Sequence, residues 1–336
     1  MTIYYFESNH RTVTDFYLNI IIEALRNVGF HVVPLPDFGL AHLWRLPKDS
    51  WFLTTGHKDI LRLRVLGFGH FIHWFQGLPA EEDFMRTHSQ WRKRAMNILD
   101  RASMRYSRFS FFVSSQQRDY LSSKFGIAPR HHFIMPCFNE VLHPQHFFTQ
   151  GKYDHNTFCY VGSATDPWQC FDQMLAIYRN IERRHNHCHL KILTPDGTVA
   201  HKAAQRAQLE HYTIKCVPHE QVAQEIASCK FGFIIREDHV VNHVATPTKM
   251  SSYLASGVIP IFSEALLPFN ELARQHSFLY TINYRNTADV IDQCLATTFQ
   301  PQQVLESYRA IFDTYFGRKR YLTAITAALR SFLAQQ

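Results

Sequence analysis

Three observations predict an α/β chain made of two doubly wound halves. Strand-like apolar runs alternate with amphipathic helical runs along nearly the whole sequence, the pattern of parallel βαβ units. The alternation breaks once, over the polar stretch HPQHFFTQGKYDHNT at 143–157, and then restarts. The length of 336 residues suits two domains, each large enough to bury its own core.

The first half opens with the strand IYYF, a polar loop Glu7-Ser8-Asn9-His10-Arg11, and FYLNIIIEALRNVGF, whose apolar residues recur at helical spacing until Gly29 stops the helix. HVVPL follows as a strand, then WFLTTG, the basic amphipathic run KDILRLRVLG, and FGHFIHWFQG, a strand that runs into a glycine turn. SQWRKRAMNILDRASMRYS reads as helix, FSFFVSS as strand, QQRDYLSSKFG as a helix closed by glycine, and RHHFIMPCF as a further strand.

The break at 143–157 is read as the interdomain linker, giving an N-terminal domain at 1–147 and a C-terminal one at 148–312. The second half begins with the strand FCYVGS and a helix over DPWQCFDQMLAIYRNIERRH, with Asp166 as N-cap and Pro167 in the first turn. Strand HLKILTPD, helix VAHKAAQRAQLEHY, strand YTIKCVP, helix HEQVAQEIASC, strand KFGFIIRED, helix PTKMSSYLASG and strand VIPIFS follow in turn. Two helical patterns joined at Phe316-Gly317 close the chain, and residues 313–336 form a C-terminal helix that could pack on either domain, the N-terminal one included.

With 46% hydrophobic and 19% charged residues the composition is that of a globular protein. A formal charge of +7 favours phosphorylated small molecules, nucleic acid or an anionic membrane face as partners. Nucleic acid is set aside, because the basic residues are dispersed and no recognition helix or aromatic-basic strand is present. Seven cysteines without a CxxC pair fit reduced, mostly buried thiols. The opening MTIYYFESNH has no signal-peptide pattern, and no apolar run reaches the roughly 18 residues of a membrane span. The expectation is a cytoplasmic chain, soluble or peripheral at the inner membrane. The 21 histidines include His70-x2-His73, His185-x-His187-x-His189 and His239-x3-His243, but no HExxH and no Cys/His framework, so no metal is expected.

In a doubly wound sheet, ligands sit beyond the C-terminal strand ends. Four crossings there are rich in functional groups: Glu7 to Arg11, Gly162-Ser163-Ala164-Thr165, Arg236-Glu237-Asp238-His239, and Thr246-Pro247-Thr248-Lys249. Arg236 ends a buried strand and Lys249 opens the next long helix, so the two cations can converge on one anion such as a diphosphate and stabilise it as a leaving group. The plainer alternative has Lys249 on the surface and Arg236 paired with Glu237 or Asp238. Trp74 is weighed equally as a core aromatic and as a lining residue.

The run Arg236-Glu237-(x4)-Asn242-(x3)-Thr246-Pro247-Thr248-Lys249-(x3)-Tyr253-Leu254-(x2)-Gly257 resembles the donor-binding segment of family-4-like glycosyltransferases with the GT-B fold, bacterial surface-polysaccharide enzymes in particular. Tyr160-Val161-Gly162-Ser163 with Trp168-Gln169-Cys170, Trp74-Phe75-Gln76-Gly77 with Pro79-Ala80-Glu81-Glu82, and Phe112-Val113-Ser114-Ser115 match in the same order. The resemblance implies two Rossmann-like domains facing a cleft, a nucleoside-diphosphate sugar held by the second domain, and a glycan or lipid-linked acceptor held by the first. It implies retaining, metal-independent transfer without a cofactor. Arg236 and Lys249 would neutralise the diphosphate, with Glu237 beside them. Gly162, Ser163, Asn242, Thr246, Pro247, Thr248 and Ser252 would bind the donor, and His10, Gln76, Gly77 and Glu81 would lie on the acceptor side. One departure stands out: Ser252 and Val244 occupy the positions where the family places two carboxylates, one of them gripping the donor ribose. A non-catalytic binding partner of another transferase, or a sugar-nucleotide epimerase, are the alternatives this leaves.

Overall fold

The structure, a computed structural model, describes the chain apart from residues 8–11, 37, 38, 186 and 284 and the side chains of 12, 13, 40 and 41. His10 lies outside the described residues. The fold is α/β, built on two six-stranded sheets whose strand pairs are all parallel.

One unit comprises Met1–Cys137 with Gly317–Gln336, the other Phe138–Phe316. The first runs β1 (Thr2–Phe6), α1 (Thr12–Asn27), β2 (His31–Leu35), α2 (Leu40–Trp44), β3 (Trp51–Thr54), α3 (Asp59–Val65), β4 (His70–Phe75), α4 (Pro79–Thr87), α5 (Gln90–Tyr106), β5 (Phe109–Phe112), α6 (Ser115–Phe125) and β6 (His132–Ile134), with sheet order β2-β1-β3-β4-β5-β6. Strands β3 and β5 are buried throughout, as parallel strands covered on both faces must be. Ser89 and Ser114 accept from the backbone N–H of Arg92 and Gln117 and so start α5 and α6, and Gly126, at φ 63°, ends α6.

The second unit runs β7 (Asn156–Val161), α7 (Phe171–Arg184), β8 (Cys188–Leu193), α8 (Gly197–Arg206), β9 (Tyr212–Lys215), α9 (His219–Ile226), β10 (Phe231–Ile234), α10 (Val240–Val244), α11 (Lys249–Ala255), β11 (Ile259–Ser263), α12 (Leu267–Gln275), β12 (Tyr280–Ile282), α13 (Thr287–Ala296) and α14 (Pro301–Thr314). Its sheet order is β12-β11-β10-β7-β8-β9. The chain then returns to the first unit as α15 (Arg318–Leu333). There Arg318 pairs with Glu23 of α1, and Phe332 meets Trp51 and Phe109 edge-on. The neighbouring Phe52 points the other way, into a cluster with Leu43, Ile60, Leu63 and Phe68 under α2 and α3, so the two sheet faces are covered by different helices.

Several local expectations change. The polar stretch at 143–157 is no linker: it lies inside the second unit, where Phe147 is fully buried and the buried Lys152 donates to the carbonyls of His146 and Ser256. The turn-forming residues serve packing there. Asp166 does not cap a long helix, because Pro167–Gln169 form a separate 3-10 turn, Cys170 takes φ 50°, and α7 starts at Phe171. The short elements α2, α4, α10, α12, β12 and α13 gave no distinct periodic signal.

The second sheet changes direction between β7 and β10. These strands pair only at Phe231↔Phe158 and Gly232↔Cys159 and then part. Tyr253 of α11 bridges the gap: its hydroxyl accepts from Val161 N at 3.2 Å and donates to Phe233 O at 3.2 Å. Its ring lies flat against Gly232, where an added Cβ would come within 2.6 Å of Tyr253 Cε2. Ligands in open α/β sheets bind at such a switch point.

Candidate functional site

At the parted C-terminal ends of β7 and β10 stand two cations. Arg236, two residues past β10, is buried, with its backbone N–H donating to Ser263 Oγ at 2.8 Å and Nη1 donating to Ile235 O at 3.1 Å. Its Nε is buried and has no hydrogen-bond partner among the described residues. Lys249, the first residue of α11, is also buried; its Nζ lies 4.2 Å from the Tyr160 ring centroid and donates to Gln169 Oε1 at 2.6 Å. Neither cation has a carboxylate ion-pair partner among the described residues, so the plainer alternatives of a surface lysine and of an Arg236 pair with Glu237 or Asp238 are set aside. Burial lowers the pKa of Arg236, and burial together with the Arg236 charge holds that of Lys249 well below the lysine range.

Buried charges are normally paired, because an uncompensated one costs several kcal/mol. Two buried cations near enough to repel one another, with one orphaned donor, could receive an anion.

The surrounding residues divide by what they touch. Gly162, at φ 138°, leaves room for Lys249: a Cβ there would meet Cε and Nζ at 3.0 Å. Ser163 is turned aside, its Oγ donating to Asp196 Oδ2 at 2.8 Å, the oxygen that also accepts from Ala164 N at 2.8 Å. Asp196 thus shapes the loop and occupies donors that sequence reasoning offered to a ligand. Asn242 is fully buried, with Nδ2 donating to Glu237 O at 3.1 Å and Oδ1 without a partner. Thr246 is buried, and the Thr248 side chain makes no capping bond at the start of α11. Ser252 donates to Asn139 Oδ1 at 3.2 Å, the oxygen that also accepts from Ser251 Oγ, while Asn139 Nδ2 pairs with His219 Nε2 at 2.8 Å. The Glu237 carboxylate accepts no hydrogen bond among the described residues and lines a cavity of about 520 Å³ beside Arg236, with His243, Glu264 and Asn283 among its walls. His243 pairs with Asp238, and His239 caps α10 through its own ring nitrogen.

In the first unit a second cavity, about 410 Å³, is lined by Gln76, Gly77, His57, His73, Glu82 and Asp100. Gln76 Nε2 is buried without a partner among the described residues. Gly77 approaches so closely that a Cβ would meet Glu82 Oε1 at 2.3 Å. Trp74 is fully buried edge-on to Tyr17 and is a core residue. Burial and the neighbouring His57 hold His73 neutral, with a pKa near 3. Burial pushes Asp100 up to about 7.

Glu81 does not line this cavity. Its carboxylate is buried in a hub, accepting from Tyr120 Oη and Lys124 Nζ at 2.8 Å each and paired with Lys93 Nζ at 2.6 Å. Burial alone would raise its pKa, but the bonds from Lys124, Lys93 and Tyr120 outweigh it and set it near 2. The Glu81 carboxylate therefore ties α4 to α5 and α6. Its folded pKa is depressed, so this stability is fully present above the ordinary carboxyl pKa and is lost as pH falls toward 2. Glu81→Gln is expected to cost about 3 kcal/mol at neutral pH and to flatten the acid limb of the stability profile. Denaturant melts from pH 3 to 7 check this; unchanged midpoints would show that the hub contributes nothing.

Sequence reasoning gave no role to Gln169, Tyr160, Asp196, Tyr253 or Asn139. Gln169, Tyr160 and Tyr253 stand in the matched segments WQC, YVGS and the run that follows Lys249, which was the available signal; Asp196 and Asn139 are brought in by loops and register alone.

No protein-family model matches the sequence, and no curated protein matches it. Solved structures do. HepE of Anabaena in complex with UDP-glucose superposes with a TM-score of 0.70 at 12% identity, covering 98% of this chain and all of that one. Sucrose-phosphate synthase from Thermosynechococcus elongatus gives 0.69 at 13% identity over the whole of both chains. An E. coli trehalose-6-phosphate protein bound with UDP-2-fluoro glucose gives 0.64 at 10% identity, covering 98% and 99%. The architecture is the GT-B arrangement of two Rossmann-like domains.

Proposed function

We propose that the chain is a glycosyltransferase that moves a sugar from a nucleoside-diphosphate donor to the hydroxyl of a glycan or lipid-linked acceptor. The observation that carries this is the Arg236–Lys249 pair, two buried cations with no ion-paired carboxylate among the described residues, at the switch point of the second sheet. The likeness to proteins in complex with UDP-glucose and UDP-2-fluoro glucose supports the choice of anion. In the proposed reaction the bond between the sugar C1 and the phosphate oxygen breaks, and a bond from C1 to the acceptor oxygen forms. The acceptor proton passes to the departing diphosphate, whose growing charge Arg236 and Lys249 stabilise without a metal. Retention of configuration, an acceptor at the Gln76–Gly77 cavity and a place in surface-polysaccharide assembly complete the reading.

A second reading, a protein that binds nucleotide sugar without turning it over, is favoured by one observation. Where the resemblance places two carboxylates, Val244 is buried in the core and Ser252 is tied to Asn139. Incubation with a panel of UDP, GDP, CDP and CMP sugars separates the two. Release of nucleoside diphosphate, accelerated by an acceptor, is expected; binding without release supports the second reading, and no binding by any donor defeats both.

The depressed pKa of Lys249 gives a further expected result. A bound diphosphate favours the ammonium form, so at pH values between the free-state and bound-state pKa binding takes up a proton. Affinity for a sugar nucleotide, whose own phosphates do not titrate near neutrality, falls as pH rises through that window. Calorimetry in buffers of different ionisation heat measures the uptake; none in the native protein would contradict a Lys249 whose pKa is depressed by burial.

A further inference from the structure

The outer side of α5 has an unusual make-up. Residues 91, 94, 98, 101 and 105 are three or four apart and share one side of the helix. Trp91 is 80% exposed and Ile98 64% exposed, and the exposed Arg94, Arg101 and Arg105 alternate with them. The opposite side, with Asp100, Ser103 and Met104, is buried. None of the three arginines meets a carboxylate among the described residues; Arg94 leans on the Trp91 ring at 5.7 Å.

The neighbouring helices extend the same surface. Val65, at the end of α3, is 80% exposed, and the adjacent Arg64 stacks 5.0 Å from the Tyr106 ring at the end of α5. Trp44 of α2 is 70% exposed, and Lys48 just beyond it donates to Leu66 O at 3.1 Å, joining α2 to α3. The carboxylates of these helices, Asp59 and Asp100, are both buried, so the exposed charge is positive. Of the ten large apolar side chains left exposed among the described residues, five lie here: Trp44, Val65, Trp91, Ile98 and Tyr106. The other five, Met1, Val141, Phe148, Val199 and Leu267, lie on separate elements and loops.

We propose that this face docks the first unit onto an anionic lipid bilayer. Tryptophan and isoleucine enter the headgroup boundary while the arginines, with long apolar stems, lie among the lipid phosphates. Charge complementarity selects the occupant: a face on which exposed arginines outnumber the acids, Asp49 beside Lys48 among the latter, suits anionic headgroups, and its apolar residues need an apolar medium to enter. No helix among the described residues is long and apolar enough to cross a membrane, so the contact is superficial. The inference stands apart from the donor site.

Co-sedimentation of the full chain with lipid vesicles tests it. Binding is expected to phosphatidylcholine vesicles carrying about 30% phosphatidylglycerol, not to phosphatidylcholine alone, and to be released by roughly 0.5 M salt. Arg94→Glu with Arg101→Glu should weaken partitioning at least about twenty-fold, and Trp91→Ser several-fold. Unchanged melting temperature and sugar-nucleotide binding in these variants show that the fold is intact. Equal binding to neutral and anionic vesicles, native-like binding by the double variant, or retention by RNA but not by vesicles would each overturn the proposal.

Discussion

Lys249→Met is expected to lower sugar transfer by roughly 100- to 1000-fold and to make the second unit more stable. Both effects have one cause. The ammonium is buried against Tyr160 and Gln169 with no ion-paired carboxylate among the described residues, and Arg236 repels it from nearby. A methionine fills nearly the same volume without a charge to desolvate, so about 1–3 kcal/mol should be gained, as when buried charges elsewhere give way to apolar residues. That corresponds to a rise of a few degrees in melting temperature. The gain should be greatest where the folded protein must hold the ammonium charged and should shrink as pH rises through the depressed pKa, because the unfolded chain binds the extra proton there. Activity should fall by roughly 100- to 1000-fold, the usual cost of one donor aimed at developing charge. Arg236→Met should behave alike, and the double variant should lose little more, since both cations serve one anion. Lower stability together with lower activity would mark Lys249 as a structural residue.

Gly232→Ala should be among the most damaging single-methyl additions in the chain. The glycine sits in β10 under the Tyr253 ring, three of whose carbons would lie 2.6–2.9 Å from the new Cβ. Tyr253 is fully buried and cannot swing aside without breaking its bonds to Val161 N and Phe233 O, which hold β7 and β10 where their pairing ends. A cost of about 3 kcal/mol is expected from overpacking, with donor affinity falling as well because Arg236 and Gly162 follow those two strands. Tyr253→Phe separates the effects: it keeps the packing, leaves two backbone groups unpaired, and should cost about 1–3 kcal/mol. Urea melts of the two variants measure this. A Gly232→Ala protein as stable as the native one would show that the ring has room to move.

How far the sequence could be read depended on the physical signal. Long periodic segments such as 16–30 and 89–107 declared their helices, and the apolar runs FSFFV and FGFII declared buried parallel strands. Arg236 and Lys249, thirteen residues apart in sequence, could be brought together on paper because the end of a strand and the start of the next long helix share one edge of a parallel sheet. The stretch at 143–157 misled because lysine and histidine read as solvent-facing, whereas Lys152 uses its ammonium to bond the carbonyl ending α11. Glu81 misled for a similar reason. A carboxylate in the first turn of a helix following a glycine turn can face either way, and Lys93, Tyr120 and Lys124, distant in sequence, decide that it faces inward. Asp196, which claims the donors of the 163–165 loop, is equally invisible without register.

Ser252 remains the residue where sequence and structure meet most sharply. Its hydroxyl joins Ser251 on the side-chain oxygen of Asn139, whose amide nitrogen reaches His219, so hydroxyl and amide groups stand where a carboxylate was expected. The charge in this part of the second unit is therefore concentrated on Arg236 and Lys249.

Titration calorimetry of nucleoside diphosphates against the native chain and Lys249→Met tests that concentration of charge most directly. One site is expected per native chain for at least one nucleoside diphosphate, with the corresponding nucleoside binding far more weakly and Lys249→Met losing about 100-fold in affinity while remaining folded. Equal affinity in the native and variant proteins, or no diphosphate binding at all, would contradict the assignment of Arg236 and Lys249 as the diphosphate clamp.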